Sequence, residues 1–409
     1  MTFDVARIRA DFAIFEREVN GHPLVYLDSA NTSQKPRQVL DVMREHNERH
    51  NGNVSRSVHT LGTEATTAYE EARAKIAAFV NAGTPDEIVF TKNSTESLNL
   101  IAHSAGRLLA LKPGDEIVIS EMEHHSNIVP WQLLCERTGA TLRWFGITDD
   151  GRLDESSLAE LVNERTKLIS LVHMSNTLGT INDLSRIVAR AREVGALVAL
   201  DCSQSVPHLP VDVRGLGVDF IAFTGHKMLG PTGIGVLWGR FDLLAKMPPF
   251  LGGGSMIETV TMAATTYAAP PARFEAGTPP ITEAIGLGAA VDYLSGLGME
   301  AIHQHEQDIT AYALKTLSDL PGVRIFGPAT PEGRGGTLSF AVEGVHPHDV
   351  GQILDALGVE VRVGHHCAKP TCARFGVPAM TRASFYLYTT TDEIDALARG
   401  LDQVRKVFG

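Results

Sequence analysis

Leu197-Val198-Ala199-Leu200-Asp201-Cys202-Ser203-Gln204 and, further along, Phe220-Ile221-Ala222-Phe223-Thr224-Gly225-His226-Lys227 decide how this chain folds. Each opens on an apolar run of strand length, the pattern of a strand buried on both faces. Asp201 and Lys227 are separated by the length of one strand–crossover–strand unit. Two neighbouring parallel strands are therefore expected to present an acid and an amine at one edge of a sheet. Outward from this pair, strand and helix patterns alternate. Strands are expected at residues 87–91, 116–120, 141–146, 168–173, 197–200, 220–223 and 235–238, and helices at 63–80, 97–109 and 184–194. This is an α/β design, a mostly parallel sheet with helices on its faces.

The texture changes between residues 250 and 280. Gly252-Gly253-Gly254-Ser255, Ala269-Pro270-Pro271 and Thr278-Pro279-Pro280 mark loops. A long helix is expected from near Ile281, and the remainder carries strands at 337–342, 360–363 and 384–388 between helices. Residues 20–285 read as a large domain. Residues 286–409, joined by 1–19, read as a smaller α/β domain.

A chain of 409 residues suits two such domains. Its 44% hydrophobic and 21% charged content is that of a soluble globular protein. The net charge of −12 argues against nucleic acid, which selects a basic face, and against anionic lipid. No apolar stretch reaches the roughly 18–20 residues that span a bilayer. Residues 1–18 are charged throughout and read as an amphipathic helix, so a cytoplasmic location is expected. The four cysteines, Cys135, Cys202, Cys367 and Cys372, are too few for a disulfide framework; reduced thiols are expected.

The acid–amine pair is what a pyridoxal phosphate (PLP) enzyme needs. The lysine forms a Schiff base with the aldehyde, and the aspartate pairs with the protonated ring nitrogen and keeps the ring an electron sink. Taken singly, Lys227 reads as a solvated loop residue and Asp201 as a helix cap. Gln204 and His226 beside them favour the site.

Other segments fit the same chemistry. Asn93-Ser94-Thr95-Glu96, after a strand, offers N–H groups and hydroxyls to an anion, or simply caps a helix. In Glu121-Met122-Glu123-His124-His125-Ser126-Asn127, one imidazole at a strand end can stack on a ring and move protons. A metal pair is the alternative, disfavoured because adjacent histidines point apart. Arg362-Val363-Gly364-His365-His366-Cys367-Ala368 sets a cysteine beside histidines, a setting that raises thiolate content. Zinc held by these histidines with Cys367 and Cys372 is the weaker reading, because the Cys-x-x-Cys knuckle is lacking. In Thr381-Arg382-Ala383-Ser384, the arginine can clamp a carboxylate with two parallel hydrogen bonds, or form a surface salt bridge.

On these residues the chain resembles the group II (SUF-type) cysteine desulfurases, PLP enzymes of fold type I in the class V aminotransferase group. The resemblance runs almost end to end, through Leu27-Asp28-Ser29-Ala30, Gln34-Lys35-Pro36, residues 122–131, His173-Met174-Ser175-Asn176, and residues 225–235, 252–256, 273–279, 362–368 and 381–384. The Arg-x-Gly-His-His-Cys-Ala loop is its most specific element. The resemblance implies that Lys227 holds PLP and shuttles protons, that Asp201 pairs with the ring nitrogen, that Gln204 bonds the ring hydroxyl and that His124 stacks on the ring. It implies that Thr95, Thr224 and His226 hold the phosphate, and that Thr278 reaches across a homodimer interface to the other subunit's phosphate. Asn176 and Arg382 would bind the substrate carboxylate. Cys367 would attack the sulfur of L-cysteine and become a persulfide, leaving alanine.

Two segments depart from the family pattern. Val54-Ser55-Arg56 stands where many relatives read Val-His-Arg, and Asn31-Thr32-Ser33 differs from an Ala- or Gly-rich loop. These bear on substrate preference and persulfide handling. The resemblance also implies a small sulfur-acceptor protein for iron–sulfur cluster assembly. His346-Pro347-His348-Asp349 is either a loop cap or a contact for a zinc-bearing acceptor. Competing functions are selenocysteine lyase activity, which can coexist, kynureninase-like cleavage, and a non-catalytic scaffold, which retention of both Lys227 and Cys367 disfavours.

Overall fold

The computed structural model describes residues 3–55 and 58–408. Seven strands form one sheet: β1 (Ile88–Thr91), β2 (Glu116–Ser120), β3 (Thr141–Phe145), β4 (Thr166–Val172), β5 (Leu197–Asp201), β6 (Phe220–Thr224) and β7 (Gly235–Gly239). Their order across the sheet is β1-β7-β6-β5-β4-β2-β3. Neighbours pair in parallel except at β7, which is antiparallel to both β1 and β6. The expected α/β sheet is thus present, one strand short of fully parallel. β1, β2, β6 and β7 are buried at every residue, which is why they read as unbroken apolar runs.

Two glycines shape this sheet where no other residue fits. The helix Ser185–Val194 ends at Gly195, whose φ of +74° closes the last turn and returns the chain into β5. A Cβ on Gly235 would lie 2.4 Å from the backbone of Asn93. The bare glycine lets the turn after β1 close against the start of β7.

A second sheet contains β8 (Val323–Phe326), β9 (Thr337–Val342), β10 (Arg362–Gly364) and β11 (Met380–Ser384), ordered β8-β9-β11-β10 and antiparallel throughout. Its core is built from Leu338, Phe340, Leu354, Ile394 and Leu397. The N-terminal segment joins this unit: Val25 and Tyr26 pair in parallel with Val359 and Glu360. Asp28 bridges to Ser384.

Several expectations need correction. The start is not one amphipathic helix. It breaks into a helix Val5–Arg9 and a 3₁₀ turn Ala13–Glu16, because Phe12 goes extended and enters an aromatic cluster with Phe15, Tyr293 and Tyr388. The strand expected at 384–388 lies at Met380–Ser384. Beyond it the chain leaves the ladder, Phe385 N–H bonding to Gly336 at 2.6 Å and Tyr386 N–H to the Thr389 hydroxyl at 2.9 Å. Tyr386 and Tyr388 are strand formers by composition but are used as buried core rings. The strand expected at 360–363 is two strands in different sheets. Residues 257–260 and 265–267, read as loop, form a hairpin. The helix Ile281–Leu297 crosses residue 285 without a break, and its Gly286 and Gly288 pack against Met43 and Ala72 of the large unit. We therefore place the division between the units after Leu297.

Ser55 donates its N–H to the Thr66 hydroxyl at 3.0 Å, while Arg56 lies outside the described residues. His346 caps the helix Pro347–Ala356 by accepting from His348 N–H, which agrees with the capping reading. Among the described residues no helix is long and apolar enough to cross a membrane.

Candidate active site

Asp201 ends β5 and Lys227 ends the 3₁₀ turn Gly225–Lys227 that follows β6, so the parallel register of these strands carries both to one sheet edge. A cavity of about 210 Å³ opens there, at the C-terminal ends of β1, β4, β5 and β6. This is where ligands sit in open α/β sheets. Lys227, Asp201, Gln204, His124, Thr95, Thr224, His226 and Asn176 all line it, joined by Ser94, Ser126 and Ser203. A larger groove of about 550 Å³ at the opposite edge, lined by Arg192, Asp219 and Arg240 among others, contains no amine nucleophile.

Burial pushes the Lys227 amine down to about 8, with Arg382 adding to the fall and Asp201, Cys367 and Asp28 opposing it. A substantial part of this amine is therefore neutral and nucleophilic near physiological pH. Asp201 is buried, one oxygen accepting from Ser203 N–H at 3.0 Å and from its hydroxyl at 2.5 Å. The His124 imidazole is held down to about 4, first by burial and then by Lys227. Its Nδ1 accepts from Ser126 N–H at 3.0 Å, the bond of a neutral ring.

The residues fit pyridoxal phosphate. Gln204 donates its amide to Ala30 O at 2.7 Å, which leaves Oε1 buried at the cavity without a partner, a free group for the ring hydroxyl. Asp201 offers the carboxylate for the ring nitrogen. Ser94, Thr95, Ser126 and Thr224 supply hydroxyls for the phosphate, Thr95 and Ser126 meeting at 2.7 Å. The helix Ser94–Leu100 is capped by Asn93, whose side chain accepts from Glu96 N–H, so Ser94 and Thr95 are not consumed as caps. Thr278 lies elsewhere, on a separate cavity with Lys92, Glu96 and Phe274.

The loop after β10 comes to this site. His125 N–H donates to Cys367 O at 2.7 Å, and Asn176 Nδ2 donates to His366 O at 2.8 Å. Cys367 is exposed, and both it and His366 have left-handed backbones, with φ of 55° and 49°. L-residues with side chains adopt this conformation at a cost, and neighbouring contacts must hold them there. His366 is buried with neither ring nitrogen partnered, its imidazole pushed down to about 2 by burial and then by Arg382. Cys372 is also buried, in the helix that follows.

Arg382, buried on β11, donates to Asn176 O at 2.9 Å and to Asp28 Oδ1 at 3.2 Å, and its Nε has no partner. It retains a free donor for a substrate carboxylate. Asn176 Nδ2 spends one N–H on His366 O, and its buried Oδ1 has no partner.

Sequence reasoning quoted Asp28 and Glu123 within its motifs but gave neither a role. Asp28 lies in an N-terminal segment with no periodicity to flag it. Glu123 is fully buried and accepts from Ser120 Oγ, Asn127 Nδ2 and Val172 N–H. Burial pushes its carboxyl up to about 8. It locks the turn that carries His124 and His125 to β4.

Comparison with known proteins shows the family. Residues 25–397 match the model of the aminotransferase class-V family, and the chain belongs to that family. It is a pyridoxal phosphate enzyme. Its relatives within the family narrow the comparison. The chain is 60% identical to a probable cysteine desulfurase of Streptomyces coelicolor over 99% of its length and 98% of the relative's. It is 49% identical to a cysteine desulfurase of Dickeya dadantii over 100% of its length and 98% of that protein's. The solved structure of the cysteine desulfurase CsdA from Escherichia coli covers both chains fully at 36% identity and a TM-score of 0.92.

Proposed function

We propose that this chain is a cysteine desulfurase of the SUF type, releasing L-alanine from L-cysteine and keeping the sulfur on Cys367. The observation that carries the reading is the 2.7 Å bond from His125 N–H to Cys367 O, which docks the one exposed cysteine beside the lysine pocket.

Arg382 holds the substrate carboxylate through its free Nε, oriented by Asp28. The neutral Lys227 amine takes the proton from the substrate's α-carbon. Bound pyridoxal phosphate supplies the sink for the charge that develops there. Cys367 Sγ attacks the substrate sulfur as a thiolate, the form in which cysteine is a nucleophile, and the Cβ–S bond breaks. The electron pair stays on carbon, which is protonated to give alanine. Cys367 is left as a persulfide, so no external oxidant enters. The neutral His124 ring forms one wall of the site.

The same site would cleave the weaker C–Se bond of selenocysteine. The exposed Cys367 suits transfer of sulfur to a small acceptor protein in iron–sulfur cluster assembly, and Thr278 would complete a neighbouring copy's phosphate site in a homodimer. A cytoplasmic enzyme is the setting we propose. The test compares wild type with Cys367→Ala for alanine and sulfide release from L-cysteine. The variant should keep the visible absorbance of the bound cofactor and lose nearly all turnover. Wild-type rates in the variant would overturn the reading.

A further inference from the structure

His125 makes two bonds to the cysteine loop, one on each side of Ala368. Its N–H donates to Cys367 O at 2.7 Å, and its ring Nε2 accepts from Lys369 N–H at 3.1 Å. The nucleophile Cys367 is itself the first anchor, and both it and His366 have left-handed backbones. Such a segment returns to ordinary backbone angles unless its surroundings over-determine it. Other restraints are Asn176 on His366 O, the turn bond from Ala368 N–H to His365 O at 2.8 Å and, further along, the Thr371 hydroxyl on Glu121 O at 2.9 Å and Arg374 on Asp149 at 2.7 Å. The His125 ring is the imidazole that holds the chain directly after the cysteine.

We propose that His125 is a positioning residue whose unprotonated ring nitrogen holds the Cys367 loop against the active site, and that protonating this nitrogen releases the loop. The inference deepens the desulfurase reading, because a released loop withdraws the sulfur acceptor.

Nε2 is the acceptor, so the neutral ring carries its proton on Nδ1, and the second proton must enter where Lys369 N–H now points. Docking and protonation exclude each other. The titratable groups facing the ring are all bases, and His124 among them is neutral. His124 shares its turn, and His365, with ring centroids 5.6 Å apart, and Lys369 lie on the loop side. The helix Ser94–Leu100, packed on the same turn, contributes the Thr95 hydroxyl to Ser126. Among the described residues no carboxylate acts on this ring to offset Lys369. Burial, then His365 and Lys369, hold the imidazole below its ordinary value near 6.5. The sign follows: docking is complete above that ordinary value and is lost as pH falls through the lowered one.

Hydrogen exchange of the holoenzyme tests this without turnover. The Lys369 amide, resolved by peptide fragmentation and corrected for intrinsic rate, should lose about five-fold protection between pH about 7.5 and about 5, the worth of one net hydrogen bond. His125→Gln places an acceptor that cannot titrate near Nε2, so its protection should be retained and flat with pH. His125→Phe should leave the amide unprotected at both. Unchanged protection in wild type across this range, or a His125→Phe variant protected like wild type, would overturn the proposal. A pH-dependent loop in an enzyme that yields no alanine would instead retain the latch and sink the desulfurase reading.

Discussion

Asp28 is the counter-charge of Arg382: its Oδ1 accepts from Nη2 at 3.2 Å, while its Oδ2 accepts from Arg362 Nε and Nη2 at 3.1 and 2.6 Å. One carboxylate thus joins the buried arginine of β11 to the arginine that opens the cysteine loop. Removing one member of a buried ion pair leaves the other uncompensated, at about 3–5 kcal/mol. Asp28→Ala should lose stability of this order in urea unfolding. Asp28→Asn, which keeps polar contacts but no charge, should lose about 1–3 kcal/mol.

The free Nε of Arg382 predicts a specific kinetic phenotype. Arg382→Lys keeps the charge but loses the planar fork. KM for L-cysteine should rise about ten-fold or more, as measured by steady-state alanine production.

The depressed Lys227 amine sets the pH dependence of cofactor uptake. Only the neutral amine attacks the aldehyde, so in the cofactor-stripped enzyme the reconstitution rate should rise with pH through about 8, not 10.5. Asp201 raises the proton affinity of this amine, so Asp201→Asn should move the midpoint lower. The rate of cofactor absorbance change reads both.

Glu123 titrates near 8 in the folded protein against an ordinary value near 4.5. The folded state therefore holds a proton that the unfolded state has lost. Stability from this group is greatest below pH 4.5 and declines as pH rises towards 8. Glu123→Gln should flatten that slope, measured by urea unfolding at a series of pH values. An identical slope in wild type and variant would show that Glu123 is ionised in the fold.

Most of the large sheet was legible because β1, β2, β5, β6 and β7 are buried on both faces, and burial writes itself as continuous apolar sequence. The Asp201–Lys227 juxtaposition was legible for a second reason: neighbouring parallel strands a crossover apart must end at one edge. What escaped depended on contacts between distant segments. Tyr386 and Tyr388 read as a strand, yet they fill the core by hydroxyl bonds to Pro207 and Ser29. Asp28 owes its place to Arg362 and Arg382, far along the chain, and no local pattern announces it. The role of His125 was equally hidden, since it rests on where the cysteine loop docks.

The most direct measurement is the mass of the Cys367 peptide after wild-type enzyme reacts with one equivalent of L-cysteine and no reductant. A gain of one sulfur atom at Cys367, matched by one equivalent of alanine, is the predicted result. Alanine released while Cys367 stays unmodified and the sulfur appears elsewhere would contradict sulfur transfer to this residue.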